Sequence, residues 1–165
     1  MTLFIRLTKR PGKLPLLICT RPDGSQTIAE ITVGPQHDLA HYAVETTLGY
    51  SRAFYGLVAG GMNIEEFNVA GAAQKLDLPL EAVHTEFIVG LLQTELLNGQ
   101  PYADFDLELA KAMSTGRKVV EPLAPLGKER IARIRSTLSS LWEQWRALPS
   151  DGSMELEFAI AMQGA

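Results

Sequence analysis

Only one cysteine, Cys19, occurs in the 165 residues, so no disulfide can close within the chain. The fold must rest on packing alone, and a reducing, cytoplasmic setting is the simplest expectation. Long apolar runs are missing too. No stretch approaches the roughly 20 apolar residues needed to cross a bilayer, and the first run, Leu3-Phe4-Ile5, stops at Arg6 before a secretory core forms. Positive charge is not in excess: 15 Lys and Arg face 19 Asp and Glu, a net charge of −4. General electrostatic attraction to nucleic acid or to an anionic membrane is therefore excluded as a working principle.

Chemistry-bearing patterns are equally sparse. Gly56, Gly60-Gly61 and Gly71 fit neither a phosphate-cradling loop nor a dinucleotide fingerprint. No Ser-His-Asp or Cys-His grouping supports a covalent nucleophile, and Cys19 reads as a packing residue in an apolar strand.

What is present suffices for a core. Apolar residues make up 46% of the chain and charged residues 21%, the proportions of a folded protein rather than a disordered one. The length fits one domain spanning 1–165. Period-two apolar patterns predict strands around Leu3–Leu7, Leu16–Thr20 and Thr27–Val33, separated by the turns Arg10-Pro11-Gly12-Lys13 and Arg21-Pro22-Asp23-Gly24-Ser25. Connections this short make an antiparallel meander over residues 1–34.

Beyond Gly34-Pro35 the period becomes helical. Helices are expected at 37–59, at 64–75 behind an Asn63 N-cap, at 80–98 ending on Asn98-Gly99, at 104–115 and at 126–148. Met154–Ile160 alternates again, so within 151–165 a last strand is placed to rejoin the sheet. The plan is α+β: a small antiparallel sheet, a mainly helical region over 35–150, and a returning C-terminal strand.

Two of the three histidines and two carboxylates fall within the nine residues His37–Glu45. On a helix His37, Asp38, His41 and Glu45 share one stripe, and the i, i+4 spacing of His37 and His41 lays two imidazoles over one surface, as in helical zinc sites. Glu45 sits ~12 Å along the axis from His37, too far to share an ion easily. A divalent metal such as zinc therefore needs a third ligand from elsewhere, and His84 is the candidate; Asp38 and Glu45 are the candidate proton acceptors if the site is catalytic, with metal-assisted hydrolysis the least strained reaction class. Two non-metal readings stand beside this one. The stripe is either a solvated helix face or a structural hydrogen-bond network in a non-enzymatic interaction module, with Arg52 offered as a partner for Glu45.

The segment Gly34-Pro35-Gln36-His37-Asp38-Leu39-Ala40-His41-Tyr42-Ala43-Val44-Glu45, with Leu48-Gly49-Tyr50 and Ala53-Phe54-Tyr55-Gly56-Leu57 after it, resembles a group of small, uncharacterised bacterial proteins. They carry a similar H-D-L-x-H-x-x-V-E stretch after an N-terminal strand and a D-G turn. The resemblance covers roughly residues 15–70 and implies a bacterial origin, with no activity to carry over. Zincin proteases are a weaker likeness, because Asp38 replaces their catalytic Glu.

The 126–148 helix carries Ile131, Ile134, Leu138, Leu141, Trp145 and Leu148 at 3,4 spacing. That seam suits packing inside the chain first, and a homodimer second. Lys128, Arg130, Arg133 and Arg135, with Arg117 and Lys118 upstream, raise nucleic-acid binding. Their directions diverge around the helix and Glu129 and Glu143 interrupt them, so a solvated surface is the better expectation.

Overall fold

A computed structural model describes residues 1–68, 77–116 and 120–161. Strands β1 (Thr2–Arg10), β2 (Lys13–Thr20), β3 (Gln26–Glu30) and β4 (Ser153–Ala159) form one antiparallel sheet in the order β3-β2-β1-β4. Its helices are α1 (Pro35–Leu48), α2 (Phe54–Ala59), α3 (Ile64–Asn68), α4 (Leu80–Asn98), α5 (Phe105–Ser114) and α6 (Lys128–Ala147). The α+β plan and the returning C-terminal strand are as expected. Residues 69–75 of the expected 64–75 helix, together with Gly71, Arg117 and Lys118, lie outside the described residues.

Alternation along the strands decides which sheet face is covered. Leu3, Ile5 and Leu7 pair in register with Phe158, Leu156 and Met154 of β4, while Ile5 and Leu7 also face Cys19 and Leu17 of β2. This inner face is the floor of the core, and Leu3, Ile5, Leu7, Leu17 and Cys19 are all at most 2% exposed. The Cys19 thiol is buried deeply enough to be pushed up to about 12, with the neighbouring Asp38 adding to the shift and Arg21 opposing it; it is a packing group rather than a nucleophile. The other face carries the exposed Phe4 and Ile28 and the Arg6–Glu155 ion pair at 2.6 Å.

Helix α1 is the central element, packing against α2, α4, α6 and β4. Gly34, at φ 94°, turns the chain out of the sheet, and Pro35 in the helix's first turn sacrifices no intrahelical hydrogen bond. Leu39, Ala40, Ala43 and Val44 are completely buried; the two alanines let neighbouring backbones approach closely. The seam of α6, Ile131, Ile134, Leu138, Leu141 and Trp145, is buried against this core, so the chain itself uses the face that suggested a second subunit. Lys9 closes that end, its ammonium donating to the Leu148 carbonyl at 2.8 Å and lying over the Trp145 ring.

Charges expected on the surface are partly spent inside. Arg135 grips Glu95 through two hydrogen bonds of 3.0 and 2.6 Å, and Glu95 also accepts the Tyr102 N–H. That removes one member of the basic group considered for nucleic acid. Arg21, read as part of a turn, is buried and donates to the carbonyls of Val58 and Met62 and to Asn63 Oδ1. It ties the end of α2 and the start of α3 to the sheet. Among the described residues no helix is long and apolar enough to cross a membrane.

The single helix expected over 37–59 is broken. Gly49 takes the left-handed conformation at φ 67° and ends α1 with its N–H on the Glu45 carbonyl, a standard glycine stop. The chain then doubles back through Tyr50–Ala53, so that Gly56 rests directly on the Ser51 backbone; a Cβ at Gly56 would collide with the Ser51 carbonyl. Gly56→Ala is therefore expected to destabilise the protein by about 2–3 kcal/mol, or roughly 5–10 °C in Tm for a chain of this size, as read by thermal unfolding. An unchanged Tm would refute the close approach.

Candidate metal centre

Breaking the helix at Gly49 has a chemical result. It swings the N-terminal turn of α2 back onto α1, where the Tyr55 N–H donates to Glu45 Oε2 at 3.0 Å. The other oxygen, Oε1, lies 3.2 Å from His41 Nδ1. Glu45 is completely buried and His41 is 1% exposed, so this contact has little competition from water. Tyr55 adds a second tie, its hydroxyl donating to the Asp38 carbonyl at 3.0 Å.

The polar stripe thus faces inward, which overturns the solvated-face expectation. Asp38, His41 and Glu45 are all buried. The suggested Arg52–Glu45 pair is replaced: Glu45 takes His41 and Tyr55, while the Ser51 and Arg52 backbone N–H groups donate to Glu81 at the start of α4.

Held at Nδ1 by Glu45, the His41 ring presents Nε2 toward His37 and α4. Glu86 Oε1 lies 3.1 Å from that nitrogen but out of line for a hydrogen bond, and Nε2 is the one buried side-chain polar atom among the described residues without a hydrogen-bond partner. Nε2 thus has a carboxylate at ion-pair distance but no aligned hydrogen bond, an uncommon state for a buried polar atom. Glu86 Oε2 lies 3.8 Å from His37 Nε2, and the two imidazoles meet edge to face with centroids 4.7 Å apart. One donor atom from each of His37, His41 and Glu86 can be chosen so that all three lie within 4.8 Å of one another. Donors on a tetrahedral zinc stand roughly 3.4 Å apart, given metal–ligand bonds of about 2.0–2.1 Å. Closing that gap takes a shift of up to about 1.4 Å, available because the Glu86 and His37 side chains are 55% and 27% exposed while His41 stays fixed.

Not every candidate residue joins this group. His84 points elsewhere, its Nε2 held at 2.7 Å by the Glu121 carbonyl. Two positions on a helix are about 200° apart around the axis, so Glu86, and not His84, reaches the histidine pair. Glu45 sits behind His41 and does not line the adjoining cleft, which leaves it no direct access to a substrate. Asp38 does line that cleft, together with His37, His41, Phe54 and Glu86.

The electrostatics follow from burial and partners. For His41, burial alone would disfavour the charged ring, but the carboxylates of Glu45 and Glu86 outweigh it and raise the imidazole to about 10. Burial also works against Glu86, yet the two imidazoles hold it well below the usual carboxylate range. Burial pushes the Asp38 carboxyl up, against the opposing pull of His37 and His41. Glu45 is likewise raised by burial, with His41 and the Tyr55 N–H opposing.

The His41 proton therefore favours folding. This contribution is fully present below the ordinary value of 6.5 and is lost as pH rises through about 10. Glu45→Gln removes one of the two flanking carboxylates, so NMR titration of the His41 ring should show its midpoint moving to lower pH, and the alkaline loss of stability moving with it. An unmoved midpoint would show that Glu45 does not control this ring.

No family model matches the chain, nor does any curated protein or solved structure in the comparisons made.

Proposed function

We propose that this is a bacterial, cytoplasmic protein whose working centre is a divalent-metal site of the zinc type, formed by His37 and His41 of α1 and Glu86 of α4. The observation that carries the reading is the convergence of donor atoms from His37, His41 and Glu86 within 4.8 Å of one another, with the buried Nε2 of His41 making no aligned hydrogen bond while Glu45 grips the same ring from behind. A carboxylate on the far nitrogen is how proteins commonly fix the tautomer and orientation of a metal-binding histidine. Two imidazole nitrogens and one carboxylate oxygen suit zinc and also other first-row divalent ions.

Three protein ligands leave a coordination position open, the arrangement of catalytic rather than structural zinc. An ion held by these residues would border a cleft of about 330 Å³ and would supply the Lewis acidity that lets water lose a proton, and so become a nucleophile, near neutral pH. Asp38 is the cleft carboxyl assigned to receive the proton, and Glu45 acts through His41 as a positioning residue. Metal-assisted hydrolysis is the reaction class this supports.

A second reading treats the same groups as a structural network. It is favoured by the way Glu45 and Tyr55 tie α1 to α2 through the Tyr55 N–H and the Asp38 carbonyl. The readings part on metal content. Elemental analysis of protein purified without metal-affinity chromatography and reconstituted with zinc should give one ion per chain, and His37→Ala/His41→Ala should abolish it. At a zinc excess of 100 times Kd, binding should stabilise the fold by about 2.7 kcal/mol, roughly 5–10 °C in Tm. No stoichiometric ion after reconstitution would overturn the metal reading, and a two-histidine variant that merely loses stability would favour the network.

A further inference from the structure

The cleft beside the three candidate ligands is chemically lopsided. It is lined by His37, Asp38, His41 and Glu86 and by the apolar Leu17, Ala29, Ile31, Phe54, Phe67 and Leu78, with Glu30, Thr32 and Asn68 the remaining polar groups on it. Its floor comes from the inner face of the sheet, where Leu17 and Ala29 are register partners on β2 and β3. Phe54 and Phe67 meet edge to face at 4.9 Å, and Phe54 also packs on the His41 ring at 5.3 Å. The apolar wall is therefore continuous with the face of the buried histidine.

We infer that the metal centre takes a small molecule with an apolar tail and one monoanionic oxygen-donor head, such as a carboxylate or hydroxamate, and rejects phosphate esters. The inference rests on the metal reading above and adds the ligand class. Charge limits the head group: a divalent ion less the Glu86 carboxylate carries one positive charge, and with the carboxyls of Asp38 and Glu45 already close by, a head of at most one negative charge is accommodated. A phosphate dianion would leave net negative charge beside Asp38 and apolar walls, at a large desolvation cost. Among the described lining residues none is Lys or Arg to offset it. The tail is set by the walls, since a cleft of about 330 Å³ is at the small end of ligand sites and, beyond His37, Asp38, His41 and Glu86, eight of its eleven described lining residues are aliphatic or aromatic.

The test uses cobalt(II)-loaded protein, whose visible absorption reports on the ion and on anything entering its open position. Acetohydroxamic and hexanohydroxamic acids share a head group and differ by four methylenes. Each buried methylene favours binding about fourfold at full burial, so the longer acid should bind at least about 30-fold more tightly, with inorganic phosphate leaving the spectrum unchanged at millimolar concentration. Ala29→Phe, which fills the cleft without touching a ligand, should keep the cobalt spectrum and erase the chain-length preference. The series on the unaltered protein is decisive even if that variant does not fold. Failure to take up cobalt would overturn the metal reading and this inference together. Cobalt uptake with equal affinity for the two acids, or with tight phosphate binding, would overturn this inference alone.

Discussion

The buried carboxylate of Glu45 is the constraint on which the rest of the site depends. A fully buried acid is tolerable only where its oxygens are bonded, and an unpaired one would cost several kcal/mol. Here one oxygen is met by His41 and the other by the backbone of α2. The second partner exists only because Gly49 stops α1 and Gly56 lets the chain lie against Ser51. Backbone geometry well away from any candidate ligand thus decides the orientation of the imidazole at the centre.

Rigidity and access are divided between the two helices. His41 is held by Glu45 and by Phe54 against its face, while Glu86 and His37 reach in from more exposed positions. This combination, one immovable donor and two adjustable ones, suits an ion that must be admitted and then held.

Much of the architecture could be read from the residues because its signals are local. Alternation along Leu3–Leu7 and Met154–Phe158 marks both the strands and their shared inner face, and α4 ends at Gly99 as its left-handed cap requires. The helical pairing of His37 with His41 was equally legible. That Glu86 rather than His84 comes to stand beside the pair was not legible for a physical reason: His84 carries the more metal-like side chain, whereas Glu86 looks like one more solvated glutamate until α4 is docked on α1. The break at Gly49 was signalled by glycine itself, but the apolar residues Ala53, Phe54 and Leu57 continued the helical rhythm and masked it. Nothing local marked Arg21 as buried, because its partners are carbonyls about 40 residues away.

The inward stripe also changes what its composition means. Asp38, His41 and Glu45 could have been a polar face turned to water, and burial shows that each must instead be explained by a partner. Glu45 has two, and His41 has one hydrogen-bond partner and a second nitrogen that Glu86 approaches at 3.1 Å without an aligned hydrogen bond. The most direct test of the central claim is anomalous X-ray scattering at the zinc absorption edge from crystals of the zinc-reconstituted protein. The expected result is one strong peak per chain within about 2.0–2.2 Å of His41 Nε2, His37 and Glu86. A peak at other residues, or none with His41 Nε2 still unbonded, would contradict the assignment.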